Sequence, residues 1–342
     1  MFDRASTLGS SDGEFLSVLF RHDQRAKLAG ALRTGKMTVI EFGRSNPSTR
    51  GDGVKVMIEV SEMSLPKQTK AYLLRIRVVE LLRKLGLLPV VDEFRLWFAV
   101  IKNRKKDKAF AALFPTEAFP PTRMAVGTVG RNGYEHYYED GRRSIQVLLE
   151  LMSGHIELKG ARVLEWGCGP ARLVRHLARL GKDSGMEVFG TDYDRATIEW
   201  CKSAIPGVTF AMNGLQPPLP FPDGFFDVVY SSSVFTHLSE AMHYAWLREN
   251  FRVVKRGGLV IFTTAGDSQK FKLLPAEIPL YEAGELVVRT VPLEGAPRYN
   301  AFHSPAFVRN KFLPSLPDAD LVRHETKLQL ASVQDIWVVR KR

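Results

Sequence analysis

The chain has 342 residues, room for two domains of ordinary size. Hydrophobic residues make up 45% and charged residues 25%, which excludes disordered and fibrous classes. No stretch approaches the roughly 18 apolar residues of a membrane span. Cys168 and Cys201 are the only cysteines, too few for a disulfide framework or a structural zinc site, so no metal is expected. The net charge of +11 is unevenly placed. Residues 1–125 hold 22 basic and 13 acidic side chains, a surplus of nine, and the remainder is nearly balanced. Such a surplus suits a solvated face, and alternatively an anionic partner: nucleic acid, a membrane surface contacted peripherally, or a phosphorylated carrier. The first residues lack an apolar leader segment, so a soluble, cytoplasmic protein is expected.

In chain order, 13–34 reads as a helix, and 37–42 and 54–60 as short strands around turn formers. Residues 65–85 read as a basic amphipathic helix, and 91–113 as a second helix bearing the run KNRKKDK. Packing against each other or the next domain is the first reading for both. Three prolines within 114–123 mark a linker, which places a domain boundary near 120. This gives a smaller basic N-terminal α+β region (1–120) before a larger domain (121–342).

Strands and helices alternate after 140, the pattern of a mostly parallel sheet. Helices are expected at 142–154, 171–181, 194–204 and 239–254. Strands are expected at 161–167, 187–192, 208–212, 227–233 and 258–264. The tail after 318 alternates like two antiparallel edge strands. The segment 265–312 is a long insertion of the kind that forms a substrate lid.

The chemical signal centres on VLEWGCGPARL (163–173), which ends a strand and opens a helix. Gly167 and Gly169 permit a tight turn and close ligand approach. The helix start offers unpaired N–H groups. Glu165, two residues before the first glycine, would repel a pyrophosphate but can accept hydrogen bonds from an amino group. Asp192, ending the next strand, suits two ribose hydroxyls, and Tyr193 offers a face to an adenine. Asp194 is the better helix N-cap. Asn213 and Gly214 follow a further strand, and Ser231–Ser233 end the strand begun by Asp227, beside the crevice where ligands bind.

The segments VLEWGCGPARL, VFGTDYD, PPLPFPDGFFDVVYSSSVFTHL and WLRENFRVVKRGGLVIFTT resemble successive motifs of class I S-adenosylmethionine-dependent methyltransferases. SVFTHL and QDIWVVRK are similar to a bacterial subgroup often met near sugar-transferring enzymes. The resemblance implies a Rossmann-like α/β fold, with a seven-stranded sheet whose last strand is antiparallel and helices on both faces. It implies S-adenosylmethionine as cofactor. Glu165 and the loop Gly167, Cys168, Gly169 and Ala171 would line its methionine part, and Asp192 and Tyr193 its nucleoside. Asn213, Gly214 and Leu215 would edge the adenine, and Ser233 and Val234 would lie near the sulfonium. Ala171 stands where a third glycine is usual, and Asn213 where an aspartate is common.

A hydroxyl acceptor on a small molecule or glycan needs a base, for which His237, His303 and Glu294 are candidates. Tyr134, Tyr137 and Tyr138 either close over the cofactor or pack. Arg142, Arg143 and Arg172 either meet an anion or form ion pairs. The alternatives are a nicotinamide-dependent oxidoreductase, opposed by Glu165 and the missing third glycine, an RNA methyltransferase using the basic N-terminal region, and a non-catalytic cofactor-binding protein.

Overall fold

The structure, a computed structural model, describes residues 38–42, 54–58, 88–128, 132–289, 300–326, 329–330 and 332–342. The expected helices at 13–34 and 65–85, and Glu294, lie outside them. The chain divides into two compact units, Met1–Thr69 and Lys70–Arg342. In the first, β1 (Thr38–Phe42) and β2 (Val54–Ile58) pair antiparallel, with Thr38 opposite Ile58 and Phe42 opposite Val54.

In the second unit α1 (Leu88–Leu113) packs on α2 (Thr122–Thr128) and α3 (Tyr134–Ser153). The sequence boundary near 120 therefore does not coincide with the division into compact units. The proline-rich stretch 114–121 is a non-helical connector, as expected, but Phe110, Phe114 and Phe119 cluster around Tyr138 of α3 and tie its two sides together.

The strands and helices of the large sheet follow: β3 (Arg162–Trp166), α4 (Val174–Leu180), β4 (Glu187–Asp192), α5 (Arg195–Ala204), β5 (Thr209–Met212), β6 (Phe226–Ser231), α6 (Glu240–Val253) and β7 (Val254–Thr264). The insertion contains α7 (Ile278–Glu282) and the antiparallel pair β8 (Leu286–Arg289) and β9 (Asn300–His303), then the short helix α8 (Pro305–Phe307). The tail holds β10 (Ala319–Glu325), the small hairpin β11 (Gln329–Leu330) and β12 (Ser332–Val333), and β13 (Asp335–Lys341).

Seven strands form one sheet in the order β10-β13-β7-β6-β3-β4-β5. Strands β3 to β7 are parallel, and β13 runs antiparallel to both neighbours. The last strand is thus the antiparallel one, as the resemblance implies. The alternation of side chains along each strand splits the core in two. Val163, Val188, Val228, Ile261 and Val338 pack with Ile145, Leu177 and Ile198 from α3, α4 and α5. Leu164, Phe189, Val229, Val260 and Trp337 pack on the other face with Trp246 and Phe251 of α6. Strands covered on both faces explain the unbroken apolar runs in the sequence.

The insertion has a small core of its own, Leu273, Tyr281, Val287 and Phe302 beside Ala265. Among the described residues, no helix is long and apolar enough to cross a membrane. The chain order reverses between β3 and β6, which places the ligand crevice at the carboxyl ends of these strands.

Candidate functional site

The loop after β3 is built from its backbone outward. Gly167 N and Cys168 N donate to the carbonyl of Thr191, at 2.8 and 2.9 Å, which ties the loop to the end of β4. Gly167 has φ +74°, and a Cβ there would lie 2.4 Å from Val234 Cγ2. Gly169 has φ +49°, and a Cβ there would meet no atom within 4 Å. The first glycine is thus demanded by packing, while the second leaves open space where a ligand can approach. Ala171 adopts φ +58° and is fully buried, so its small side chain fills the third-glycine position. Cys168 and Cys201 are buried free thiols whose pKa burial raises, and both face the carbonyl of Gly169 at 3.5 Å.

Glu165 is buried. Its Oε2 accepts from Val174 N at 2.8 Å, at the start of α4, and from the Tyr230 hydroxyl at 3.1 Å. Burial pushes its carboxyl up to about 8, against the opposing pull of Arg172, Tyr230 and Val174 N. Glu165 therefore braces the glycine loop against α4 and β6. The folded chain keeps a proton here that the unfolded chain releases near 4.5, so this group's stabilising contribution falls as pH rises from about 4.5 to about 8. Thermal melts of the ligand-free protein should show that decline, and Glu165→Gln should flatten it. An unchanged slope in the variant would contradict the assignment.

Asp192 is partly buried at the end of β4. Its Oδ2 accepts from Gly169 N and its Oδ1 from Asp194 N, each at 2.9 Å. Burial raises its pKa against these hydrogen bonds. Asp194 caps α5 by accepting from Thr197 N at 3.1 Å, so Asp192 is free of that duty. Asn213 N donates to the Asp192 carbonyl at 3.1 Å. Asn213 is buried, its Nδ2 donates to the Gly214 carbonyl at 2.6 Å, and its Oδ1 has no partner. Trp246 Nε1 holds the same loop through the Leu215 carbonyl at 3.0 Å. Tyr193, Met212 and Leu215 remain exposed together at the ends of β4 and β5.

Beyond β6, Ser233 takes φ +63°. Its N–H donates to Thr263 Oγ1 at 2.8 Å and its hydroxyl to Gln334 Oε1 at 3.0 Å, while Thr263 donates to the same Gln334 oxygen at 2.6 Å. A strained serine locked from β7 and from the residue just before β13 fixes the turn that carries Val234.

These residues fit the cofactor that the resemblance implies. The unpartnered Asn213 Oδ1 can accept from an adenine amino group. The second lone pairs of Asp192 suit ribose hydroxyls, and Tyr193, Met212 and Leu215 suit the faces of a purine. Gly169 leaves the loop open to the methionine portion.

The base candidates separate. His237 is half-buried in the 3-10 turn Phe235–His237, directly after Val234. His303 is fully buried, with Nε2 2.6 Å from His243 Nε2. His243 Nδ1 faces the Ser239 carbonyl at 2.7 Å and so donates to it, leaving its Nε2 to accept from His303. Burial pushes His303 well below, and His243 down to about 4, so both are neutral core histidines.

The tyrosines before β3 pack, and two of the three arginines form ion pairs. Tyr137 donates to the Pro170 carbonyl, Tyr134 to the Pro120 carbonyl at 2.6 Å, and Tyr138 meets His176 edge to face. Arg172 is buried against Asp140 at 2.7 Å, and Arg142 pairs with Glu139 at 2.9 Å. Arg143 is exposed and lines a separate cavity between α1 and the start of α3, with Asn103, Asp107 and His136. That cavity shares no residue with the strand-end site.

Sequence reasoning missed Met212, Thr263, Gln334 and the bracing role of Trp246. Thr263 carried a signal, a polar residue ending the apolar run VIFTT. Gln334 carried none, because its partner is 101 residues away.

Residues 164–262 match the family model described as "Methyltransferase domain". A probable S-adenosylmethionine-dependent methyltransferase of Mycolicibacterium smegmatis is 35% identical over 105 residues, 31% of this chain and 38% of that protein. A ubiquinone biosynthesis O-methyltransferase of Neisseria meningitidis is 25% identical over 160 residues, 46% of this chain and 64% of that protein. Each match thus spans less than two thirds of the relative. Magnesium protoporphyrin IX methyltransferase of Synechocystis, solved with S-adenosylhomocysteine, is 16% identical, with TM-score 0.45 over 63% of this chain and 92% of that one. Sheet order, glycine loop, acidic strand end and family match agree: residues 164–262 form a methyltransferase domain, similar to those of S-adenosylmethionine-dependent methyltransferases.

Proposed function

We propose that the chain transfers a methyl group to the hydroxyl oxygen of a small molecule or glycan. One observation carries the cofactor half of this reading: Gly169 N donates to Asp192 Oδ2 and Asn213 N to the Asp192 carbonyl, which sets the three residues side by side and leaves the buried Asn213 Oδ1 unpartnered. The sulfonium of the bound cofactor supplies an electrophilic methyl group. The oxygen acceptor is supported by the likeness to the Neisseria ubiquinone biosynthesis O-methyltransferase. His237, beside the Ser233–Val234 turn, would take the acceptor's hydroxyl proton on a ring nitrogen as the methyl group passes to that oxygen. A neutral ether results. The Ser233 turn, held by Thr263 and Gln334, sets the floor against which the acceptor lines up.

The reading is tested with labelled methyl transfer to a panel of sugar and lipid hydroxyl acceptors. His237→Gln should lower kcat by about 10²–10⁴-fold with S-adenosylhomocysteine affinity unchanged. Transfer to RNA or to a nitrogen acceptor, or full activity in His237→Gln, would overturn it.

A further inference from the structure

Helix α1 is inside out. A surface helix normally turns its apolar stripe to the core. Here Asn103 and Asp107 are buried with Ala99, and Asp107 Oδ1 accepts from Tyr134 N at 2.8 Å to cap α3. The outward face carries Val90, Phe94, Trp97, Phe98 and Ile101, exposed by 67, 65, 56, 58 and 51%. Their spacing places all five on one side of the helix. The Phe94 and Trp97 rings lie 5.9 Å apart and form an aromatic ridge. One and two turns on, the same side carries Arg104, Lys105 and Lys108, all exposed. The acidic Glu93 at the rim is neutralised by Arg123, with one contact at 2.7 Å.

We propose that this face docks α1 on an anionic phospholipid surface. Several large apolar side chains side by side on a water-facing helix mark an interaction site. The charge pattern selects the occupant. An apolar ridge of Phe and Trp followed by lysine and arginine on the same side matches the acyl–headgroup boundary of a bilayer, where rings enter the interface and cations meet phosphates. The surplus of nine positive charges in residues 1–125 points the same way. The helix lies flat on the surface and does not cross it, consistent with its interrupted apolar run. The docking does not depend on the identity of the methyl acceptor.

The test is sedimentation of the full chain with vesicles of phosphatidylcholine alone and with about 30% phosphatidylglycerol, at low and high salt. Binding to the anionic vesicles is expected, weakened at high salt. Phe94→Ser/Trp97→Ser/Phe98→Ser should reduce it at least tenfold with S-adenosylhomocysteine affinity unchanged. The Trp97 contribution to fluorescence, read against Trp97→Phe, should shift to the blue on binding. Absence of anionic-vesicle binding by the unaltered chain, or equal binding by the triple variant, would overturn the proposal. So would a fall in oligomeric state in that variant, which assigns the face to a second copy. A lowered melting temperature there would also overturn it, assigning the face to another segment of this chain such as 65–85.

Discussion

Asp192→Ala should weaken S-adenosylhomocysteine binding by about 100-fold or more and leave the protein folded. The carboxylate does two jobs at once. It accepts from Gly169 N and so shapes the glycine loop, and in the proposed site its remaining lone pairs would accept from ribose hydroxyls. Hydrogen bonds to a charged group contribute about 1.5–3 kcal/mol each, so losing a pair is worth roughly two orders of magnitude or more. The fold should survive because Asp194, not Asp192, caps α5. The control is Asp194→Ala, which should cost about 1 kcal/mol of stability with affinity retained. Calorimetric titration and thermal melts of both variants separate these effects. Equal loss of affinity in the two would show that α5, not the carboxylate, holds the ligand.

The second large effect lies at Gly167. Gly167→Ala forces a Cβ to 2.4 Å from Val234 Cγ2 in a left-handed conformation. Left-handed backbone costs an L-residue about 1–2 kcal/mol, and overpacking adds about 1–3 kcal/mol. Val234 is β-branched and stiff, so it yields poorly. A destabilisation of about 2–5 kcal/mol is expected, together with loss of affinity because the loop must shift. Adding Val234→Ala removes the clash but not the backbone cost. Differential scanning calorimetry should therefore show partial recovery in the double variant. No recovery would mean that the backbone angle alone makes the glycine necessary.

Much of the sheet was legible in the sequence for a physical reason. Strands covered on both faces leave long apolar runs, and β3, β4, β6 and β7 fall close to where those runs stand. The glycine loop and the acid ending β4 were legible because backbone geometry restricts residue type: a glycine at φ +74° and an acid at a strand end show in a linear chain. Helix ends were less clear. α3 begins at Tyr134, eight residues before the expected start, because Asp107 from α1 caps it across 27 positions. No local pattern announces such a cap.

The acceptor side was least legible. His303 and His237 look alike in sequence, but a partner 60 residues away, His243, encloses one in the core, while the other ends a turn beside Val234. The Gln334 clamp on Ser233 and the outward apolar face of α1 arise from packing between distant elements. Periodicity alone would have turned that face inward.

The glycine loop, Asp192 and Asn213 meet at the strand ends as a candidate S-adenosylmethionine site. Its most direct test is calorimetric titration of the full chain with S-adenosylhomocysteine and, separately, with NADH. Saturable one-to-one binding of S-adenosylhomocysteine and no binding of NADH are expected. Binding of NADH with S-adenosylhomocysteine silent would contradict it.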